Sequence, residues 1–257
     1  MSKLASEDKF FDFSDYGRPL ATFFANHLKN TRFTPIDVTL LFGVSGLIAI
    51  YCILNTHYFT AGFFIILKSI IDAADGELSR VKNTPSYTGR YLDSVFDIVL
   101  NFLFLMSICY VSEATFFYTI VAFIAIQFQG TIYNYYYVIL RNNSEGGDAT
   151  SKIFEVKTPK AFPNEKQKYV NILFKLYVLF YGAFDRTIYF LDREAAKIKF
   201  FPNWFMTFLS IYGLGFQLLI IAVMLALNLI DYIVPFFIYY SFLIVVFVGI
   251  RKTKFRV

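Results

Sequence analysis

Four acidic side chains stand close together in one stretch of an otherwise apolar sequence. Asp72 and Asp75 are three residues apart, and Asp93 and Asp97 are four apart, so each pair shares one face of a helix. A short segment containing Pro85 joins the two pairs. Carboxylates next to hydrocarbon are costly to bury without a counter-charge. The cluster therefore indicates a functional site.

The chemistry of this cluster favours a hard divalent cation. All four side chains offer oxygen and no His or Cys lies near, so Mg²⁺, Mn²⁺ or Ca²⁺ suits the site better than zinc. Two ions would balance four carboxylates, and such a pair can clamp a pyrophosphate during displacement at phosphorus. Gly76 and Gly89 let a bulky ligand approach the backbone, and Arg80 can pair with phosphate oxygens. The residues therefore predict phosphoryl transfer.

The elements that must position these residues are membrane helices. Of the 257 residues, 57% are hydrophobic, 21% aromatic and 17% charged, so much apolar surface must face lipid. This composition excludes a disordered, collagen-like or disulfide-stapled secreted chain. Apolar windows long enough to cross a bilayer lie at 37–56, 58–78, 92–112, 114–140, 204–228 and 231–250. The sequence predicts an all-α polytopic membrane protein with six transmembrane helices.

Two amphipathic helices are predicted in addition to these spans. Leu20, Phe23, Phe24 and Leu28 recur at helical spacing, which is typical of a juxtamembrane helix that lies on the membrane surface. The alternative is an ordinary surface helix packed on protein. The segment 169–191 is long enough to span but carries a polar stripe, so we expect an interfacial or re-entrant amphipathic helix there.

The positive charges predict how the spans are oriented. Six spans with a cytoplasmic N-terminus place 23 of the 24 Lys and Arg residues on one side and leave only Lys68 inside a span. We therefore expect a multi-pass protein of the cell membrane whose active site lies at the cytoplasmic face. Anionic membrane lipids explain the net charge of +5, so no nucleic-acid partner is expected.

This orientation divides the chain into three segments. Residues 1–34 form a cytoplasmic N-terminal segment with the surface helix, residues 35–250 the six-helix membrane domain, and residues 251–257 a basic cytoplasmic tail. The tyrosine-rich run at 133–137 predicts an interfacial aromatic belt, with a place in a substrate pocket as the alternative.

The spacing of the acidic residues resembles the signature of the CDP-alcohol phosphotransferase family, D-x2-D-G-x2-A-R-x8-G-x3-D-x3-D. The chain matches seven of its eight fixed residues, with serine in place of alanine, and reads Asp72-x2-Asp75-Gly76-x2-Ser79-Arg80-x8-Gly89-x3-Asp93-x3-Asp97. The segment Pro35-Ile36-Asp37-Val38-Thr39 also resembles the family's P-N-x-[IV]-T entry to the first span, with Ile36 where asparagine is usual.

The resemblance implies an integral-membrane enzyme, usually a homodimer, that breaks the pyrophosphate of a CDP-linked substrate. It would release CMP and join the remaining phosphate to an alcohol. By the same resemblance, Asp72, Asp75 and Asp93 would hold the first of two Mg²⁺ or Mn²⁺ ions. Asp97 would hold the second ion and act as the base. The CDP pocket would be lined by Gly76, Ser79, Arg80 and Gly89.

The substrates stay open at this point. The expected donor is CDP-diacylglycerol, and serine, glycerol phosphate, inositol phosphate, choline and diacylglycerol are all possible acceptors on this scaffold. One alternative is transfer from CDP-choline or CDP-ethanolamine to a diacylglycerol-like lipid. A different class of protein, a membrane cation transporter that uses the carboxylate cluster, would release no CMP.

Overall fold

The regular elements of the chain are helices, as predicted. The computed structural model describes residues 8–143 and 155–255, together with Leu4 and Lys152, and no β-strand occurs among them. In chain order the helices are α1 (Arg18–Leu28), α2 (Pro35–Leu54), α3 (Tyr58–Lys82), α4 (Tyr87–Val111), α5 (Phe116–Asn143), α6 (Gln167–Leu191), α7 (Asn203–Leu209), α8 (Leu214–Ala226), α9 (Ile230–Tyr240) and α10 (Leu243–Lys254).

Side-chain caps form the starts of α2 and α4, two of the helices around the acidic cluster. At α2, the Thr34 hydroxyl accepts a hydrogen bond from the Asp37 amide at 3.2 Å, and the Asp37 carboxylate accepts one from the Thr34 amide at 2.7 Å. At α4, the Ser86 hydroxyl accepts from the Gly89 amide at 2.8 Å. These bonds satisfy amide groups that have no partner within the helix.

Helices α2, α3, α4 and α8 pack around one apolar core. Phe42, Ile65, Phe104 and Ile221, one from each helix, are at most 3% exposed. Gly62 lets α3 approach α8 closely, because a Cβ there would lie 2.7 Å from the backbone oxygen of Ala222. Helix α3, which carries Asp72 and Asp75, is therefore held between apolar neighbours.

Four stretches of the described residues are long and apolar enough to cross a membrane: α2, α4, α5, and α9 together with α10. The bent pair of α7 and α8 makes a fifth if it counts as one span. The remaining predicted span is α3, whose 25 residues include Lys68, Asp72, Asp75 and Glu77. The count of six spans stays a prediction.

The span predicted at 204–228 is interrupted by a bend, and whether it crosses the membrane stays a prediction. The chain bends by 50° between α7 and α8, where Ser210–Tyr212 form a 3-10 turn and Gly213 is extended. The Ser210 hydroxyl accepts a hydrogen bond from the Phe13 amide at 2.9 Å, and Gly213 lies against Ser14. The N-terminal segment thus packs into the break and replaces contacts that a straight helix would make.

Helix α1 has one face on protein and one exposed apolar face. Ala21 and Ala25 are fully buried in a small cluster with residues of α2 and α3. Leu20, Phe23 and Phe24 are between 43% and 56% exposed. Helix α1 therefore packs on protein, as in one alternative, and also presents large apolar side chains outward, as expected of a helix on the membrane surface.

Helix α6 covers the predicted interfacial segment 169–191 as one continuous helix of 25 residues, and it is not among the candidate spans. The Tyr181 hydroxyl donates to the Ser94 carbonyl, near the start of α4, at 3.0 Å. Toward its end, the ring centroid of Tyr189 lies 6.5 Å from that of Tyr135, in the last third of α5. Helix α6 therefore contacts the ends of α4 and α5 that lie nearest the acidic cluster.

The prediction of an aromatic belt at 133–137 is wrong for Tyr135 and Tyr136, which are buried in protein. Tyr135 and Tyr136 are at most 5% exposed, and the Tyr136 hydroxyl donates to the Asp192 carboxylate at 2.6 Å. The Tyr133 hydroxyl donates to Asp12 at 2.5 Å. These tyrosines join α5 to polar groups elsewhere in the chain instead of facing lipid head groups.

The three predicted segments stay predictions. Residues 1–3 and 5–7 of the N-terminal segment and residues 256–257 of the basic tail lie outside the described residues, as do 144–151 and 153–154.

Candidate active site

The acidic cluster forms where α3 ends and α4 begins. Asn83 ends α3 in the left-handed conformation, with φ 52° and ψ 46°, which asparagine tolerates better than most residues. The Ser79 hydroxyl donates to the Thr84 carbonyl at 2.9 Å and closes the turn. This tight turn reverses the direction of the chain, so the last turns of α3 face the first turns of α4.

Three of the four predicted metal ligands converge. Asp72, Asp75 and Asp93 each offer a carboxylate oxygen, and these oxygens all lie within 4.8 Å of one another. Asp75 is buried, and the other two are half-buried. Two acids from α3 thus meet one acid from α4, as the helical spacing predicts.

A third helix contributes to this cluster. The Thr39 hydroxyl of α2 donates to Asp75 Oδ2 at 2.6 Å, and Thr39 is only 1% exposed. This threonine is the last residue of the Pro35–Thr39 motif that the sequence singled out. Its hydroxyl orients one carboxylate oxygen and leaves the other for a ligand.

The three carboxylates fit a divalent cation. Asp93 Oδ1 is buried and has no hydrogen-bond partner among the described residues, which is unusual for a carboxylate oxygen. Three converging oxygens with no nitrogen or sulfur suit Mg²⁺ or Mn²⁺. The chain therefore holds an aspartate cluster that could bind a divalent metal ion.

Asp97 lies beside a lysine instead of joining the three other carboxylates. The ammonium group of Lys68 donates to Asp97 Oδ1, and to Asp72 Oδ2 at 3.0 Å. Lys68 has no solvent exposure, and its Nζ lies 4.6 Å from the centroid of the Phe42 ring. Lys68 is not among the site residues that the sequence predicts, although it stands four residues before Asp72 on the same helix face.

The residues predicted to line the CDP pocket differ in their surroundings. A Cβ on Gly76 would meet only the Arg80 guanidinium, at 3.6 Å, so the backbone there is open to a ligand. Arg80 Nη2 donates to the Glu77 carboxylate at 2.6 Å, and Arg18 of α1 also pairs with Glu77 at 3.3 Å. The Arg80 guanidinium therefore lies beside the open backbone at Gly76, and Arg18 shares its partner Glu77.

Gly89 and Ser79 have local structural roles. A Cβ on Gly89 would lie 3.2 Å from the Ser86 hydroxyl that caps α4. The Ser79 hydroxyl already closes the turn between α3 and α4. Their contacts with a nucleotide stay predictions.

Comparison with protein-family models gives a match to CDP-alcohol phosphatidyltransferase over residues 33–227, more than half of the chain. The matched region includes the whole acidic cluster. The chain belongs to the CDP-alcohol phosphatidyltransferase family. No curated protein matches the chain significantly.

Membership of the CDP-alcohol phosphatidyltransferase family makes this chain a phosphotransferase. Members transfer a phosphate group from a CDP-alcohol to an acceptor and typically depend on a divalent metal ion. The apolar helices fit an integral membrane member. The resemblance seen in the sequence is thereby confirmed.

Proposed function

We propose that the protein transfers the phosphatidyl group of a CDP-linked lipid, CDP-diacylglycerol, to a polar alcohol and releases CMP. The observation that carries this proposal is the convergence of Asp72, Asp75 and Asp93 in a chain of this family. The cluster lies where α3 ends and α4 begins, and Arg80 and Arg18 both pair with Glu77, two residues after Asp75.

The reaction is a displacement at phosphorus. The oxygen of the acceptor hydroxyl attacks the phosphorus that carries the diacylglycerol, and the bond from this phosphorus to the bridging oxygen breaks. CMP leaves with the electrons of that bond. The hydroxyl proton passes to a carboxylate, for which Asp97 is the proposed base because it lies one helical turn beyond Asp93.

Asp72, Asp75 and Asp93 would hold Mg²⁺ or Mn²⁺. When bound, such an ion supplies positive charge to the pyrophosphate oxygens. Thr39 holds Asp75 in place. The open backbone at Gly76 lets the donor approach, and Arg80 can turn from Glu77 to a phosphate oxygen without leaving the site. Ser79 and Gly89 shape the same pocket through the turn and the cap of α4.

The proposed topology has six spans, with α3 as the second and α6 lying at the membrane surface. Three observations support it: the 23 of 24 basic residues assigned to one side, the place of α3 inside the apolar core, and the contacts of α6 near the cluster. It places the active site at the cytoplasmic face of the cell membrane. A homodimer is the expected assembly.

A panel of substrates tests this function. Purified protein with Mg²⁺ is given CDP-diacylglycerol and, separately, serine, glycerol phosphate or inositol phosphate, and the lipid products are identified by mass spectrometry. We expect CMP and one new phospholipid with one of these acceptors. CMP formation only from CDP-choline or CDP-ethanolamine with diacylglycerol would reverse the roles of donor and acceptor. A protein that releases no CMP from any CDP-linked donor would contradict the proposal.

A further inference from the structure

We propose that the ammonium group of Lys68 takes the place of a second metal ion at Asp97, so that the site binds one divalent cation. The inference rests on the proposed function and refines its chemistry. It predicts one bound ion per chain, whereas the sequence predicts two, and this number can be measured.

The first observation is how the carboxylates divide. Asp72, Asp75 and Asp93 converge, and their oxygens lie within 4.8 Å of one another. Asp97 is bound instead to Lys68 Nζ. The four signature acids therefore form a three-carboxylate site and a separate carboxylate–ammonium pair.

The second observation is that Asp72 connects these two parts. Its Oδ2 accepts from Lys68 Nζ at 3.0 Å, while Asp72 also belongs to the converging cluster. In a two-ion site, a carboxylate commonly bridges the two cations. Lys68 Nζ binds Asp72 and Asp97, the two carboxylates that would otherwise be available to a second cation.

The third observation is that the Lys68 side chain is enclosed. It has no solvent exposure, and its ammonium group is surrounded by Asp72, Asp97 and the ring of Phe42. Phe42 is itself fully buried and packs edge-on against Phe96, the neighbour of Asp97. The ammonium charge is therefore held away from solvent between two carboxylates, one of which is Asp97.

This arrangement gives Lys68 a positioning role. Its ammonium group fixes the Asp97 carboxylate on the side of α4 that faces the cluster, and it also binds Asp72 Oδ2. The positive charge of Lys68 beside the proposed base Asp97 is present whether or not a metal ion is bound. Loss of Lys68 should therefore change the number of ions that the site binds, in addition to lowering turnover.

The test counts Mn²⁺, added alone, on the full-length purified protein. Bound Mn²⁺ is measured from the loss of the electron paramagnetic resonance signal of free Mn²⁺, and a coupled pair of ions is recognised by its altered spectrum. We expect one Mn²⁺ per wild-type chain with no coupling, and one in Asp97→Asn with affinity within about threefold of wild type. Lys68→Met should bind two coupled ions, and adding Asp97→Asn to it should restore one.

The matched control is Lys82→Met, because Lys82 lies on the same helix but donates to the backbone carbonyls of Thr31 and Phe33. It should bind one ion. Two ions in the wild type, or a single ion in folded Lys68→Met, would overturn the proposal. If Lys68→Met fails to fold, the wild type and Asp97→Asn still test the proposal. A second metal site at Asp97 would give two ions in the wild type and one in Asp97→Asn, whereas we expect one ion in both.

Measurement of CMP release on the same wild-type preparation separates this inference from the proposed function. CMP release together with two bound ions would overturn the role of Lys68 and leave the function standing. One bound ion without CMP release from any CDP-linked donor would contradict the function instead. Failure to bind Mn²⁺ at all would overturn the metal site on which both rest.

Discussion

A single hydroxyl from α2 orients the most buried carboxylate of the cluster. Thr39 donates to Asp75 Oδ2 at 2.6 Å, and both residues are less than 10% exposed. Groups that orient a metal ligand are worth about 10- to 100-fold in metal affinity or activity. The Pro35–Thr39 motif therefore acts at the cluster although it is distant from it in sequence.

Thr39→Val should weaken Mn²⁺ binding by about tenfold, because it keeps the shape of the side chain and removes the hydroxyl that orients Asp75. Titration of the purified variant with Mn²⁺ measures this. Thr119→Val is the matched control, since Thr119 of α5 is also buried but donates to the Thr115 carbonyl just before that helix. Unchanged Mn²⁺ affinity in Thr39→Val would show that the hydrogen bond has no part in metal binding.

Asp97→Asn should keep its affinity for the CDP-linked donor and lose turnover. The three-carboxylate cluster and Arg80 stay in place, whereas removal of a general base costs about 10²-fold or more in rate. Calorimetric binding of the donor in Mg²⁺ and CMP release are measured on one preparation. Asp231→Asn, an exposed acid at the start of α9, serves as the control. Turnover within a few-fold of wild type would exclude Asp97 as the base.

For single residues, the sequence predicts the carboxylate cluster but not the lysine, Lys68, that pairs with Asp72 and Asp97. The spacing of Asp72, Asp75 and Asp93 was enough, because residues three or four apart on a helix share a face. Lys68 could be recognised only as a lone charge within a span. Its pairing with Asp97 depends on how α3 and α4 are placed relative to each other, both packing against α2, which the pattern of one helix does not contain.

At the scale of elements, one glutamate joins the loop before α6 to the start of α4. The Glu165 carboxylate accepts hydrogen bonds from the Ser86 hydroxyl at 2.7 Å and from the amides of Tyr87 and Thr88 at 3.1 and 2.6 Å. Burial alone would raise the pKa of Glu165, but these hydrogen bonds outweigh it and hold the pKa below its ordinary value. A negative charge here also stabilises the N-terminus of α4.

Glu165→Gln should destabilise the protein by about 1–2 kcal/mol near pH 7, because it removes the charge that the α4 amides bind. A lowered pKa in the folded state means that this stabilisation is complete above the ordinary glutamate range and is lost as the pH falls through the folded pKa. The melting temperatures of the wild type and the variant should differ at pH 7 and converge below about pH 4.

Glu194→Gln is the control for this charge, because Glu194 is exposed and pairs with Lys197 on the surface. It should melt close to the wild-type temperature at both pH values. A constant difference between the wild type and Glu165→Gln across this pH range would show that the charge of Glu165 is not what stabilises α4.

Local patterns predicted most of the helices but not the break in one of them. Apolar windows located α2 to α5 within a few residues, since each begins and ends at caps or polar joints. The bend between α7 and α8 depends on Phe13 and Ser14, which approach Ser210 and Gly213 from the far end of the chain. A hydropathy window does not register such a long-range contact.

At the scale of the whole molecule, the topology determines which side of the membrane the cluster faces. In a background without Cys52 and Cys109, we expect cysteines at Thr84 and Thr253 to react with an impermeant thiol reagent from the cytoplasmic side. A cysteine at Glu113, in the joint between α4 and α5, should react only from the opposite side. Labelling of positions 84 and 253 from opposite sides would contradict this topology, because it would require an odd number of spans between them.

We propose that the aspartate cluster binds a divalent metal ion and that release of CMP from a CDP-linked lipid depends on this ion. The most direct measurement is CMP release from CDP-diacylglycerol, with the acceptor panel present, before and after metal removal by EDTA. We expect the activity to vanish in EDTA and to return with Mg²⁺ or Mn²⁺ in the wild type and in Asp231→Asn, but not in Asp93→Asn. Full CMP release in EDTA, or metal-restored activity in Asp93→Asn equal to that of the wild type, would contradict the account.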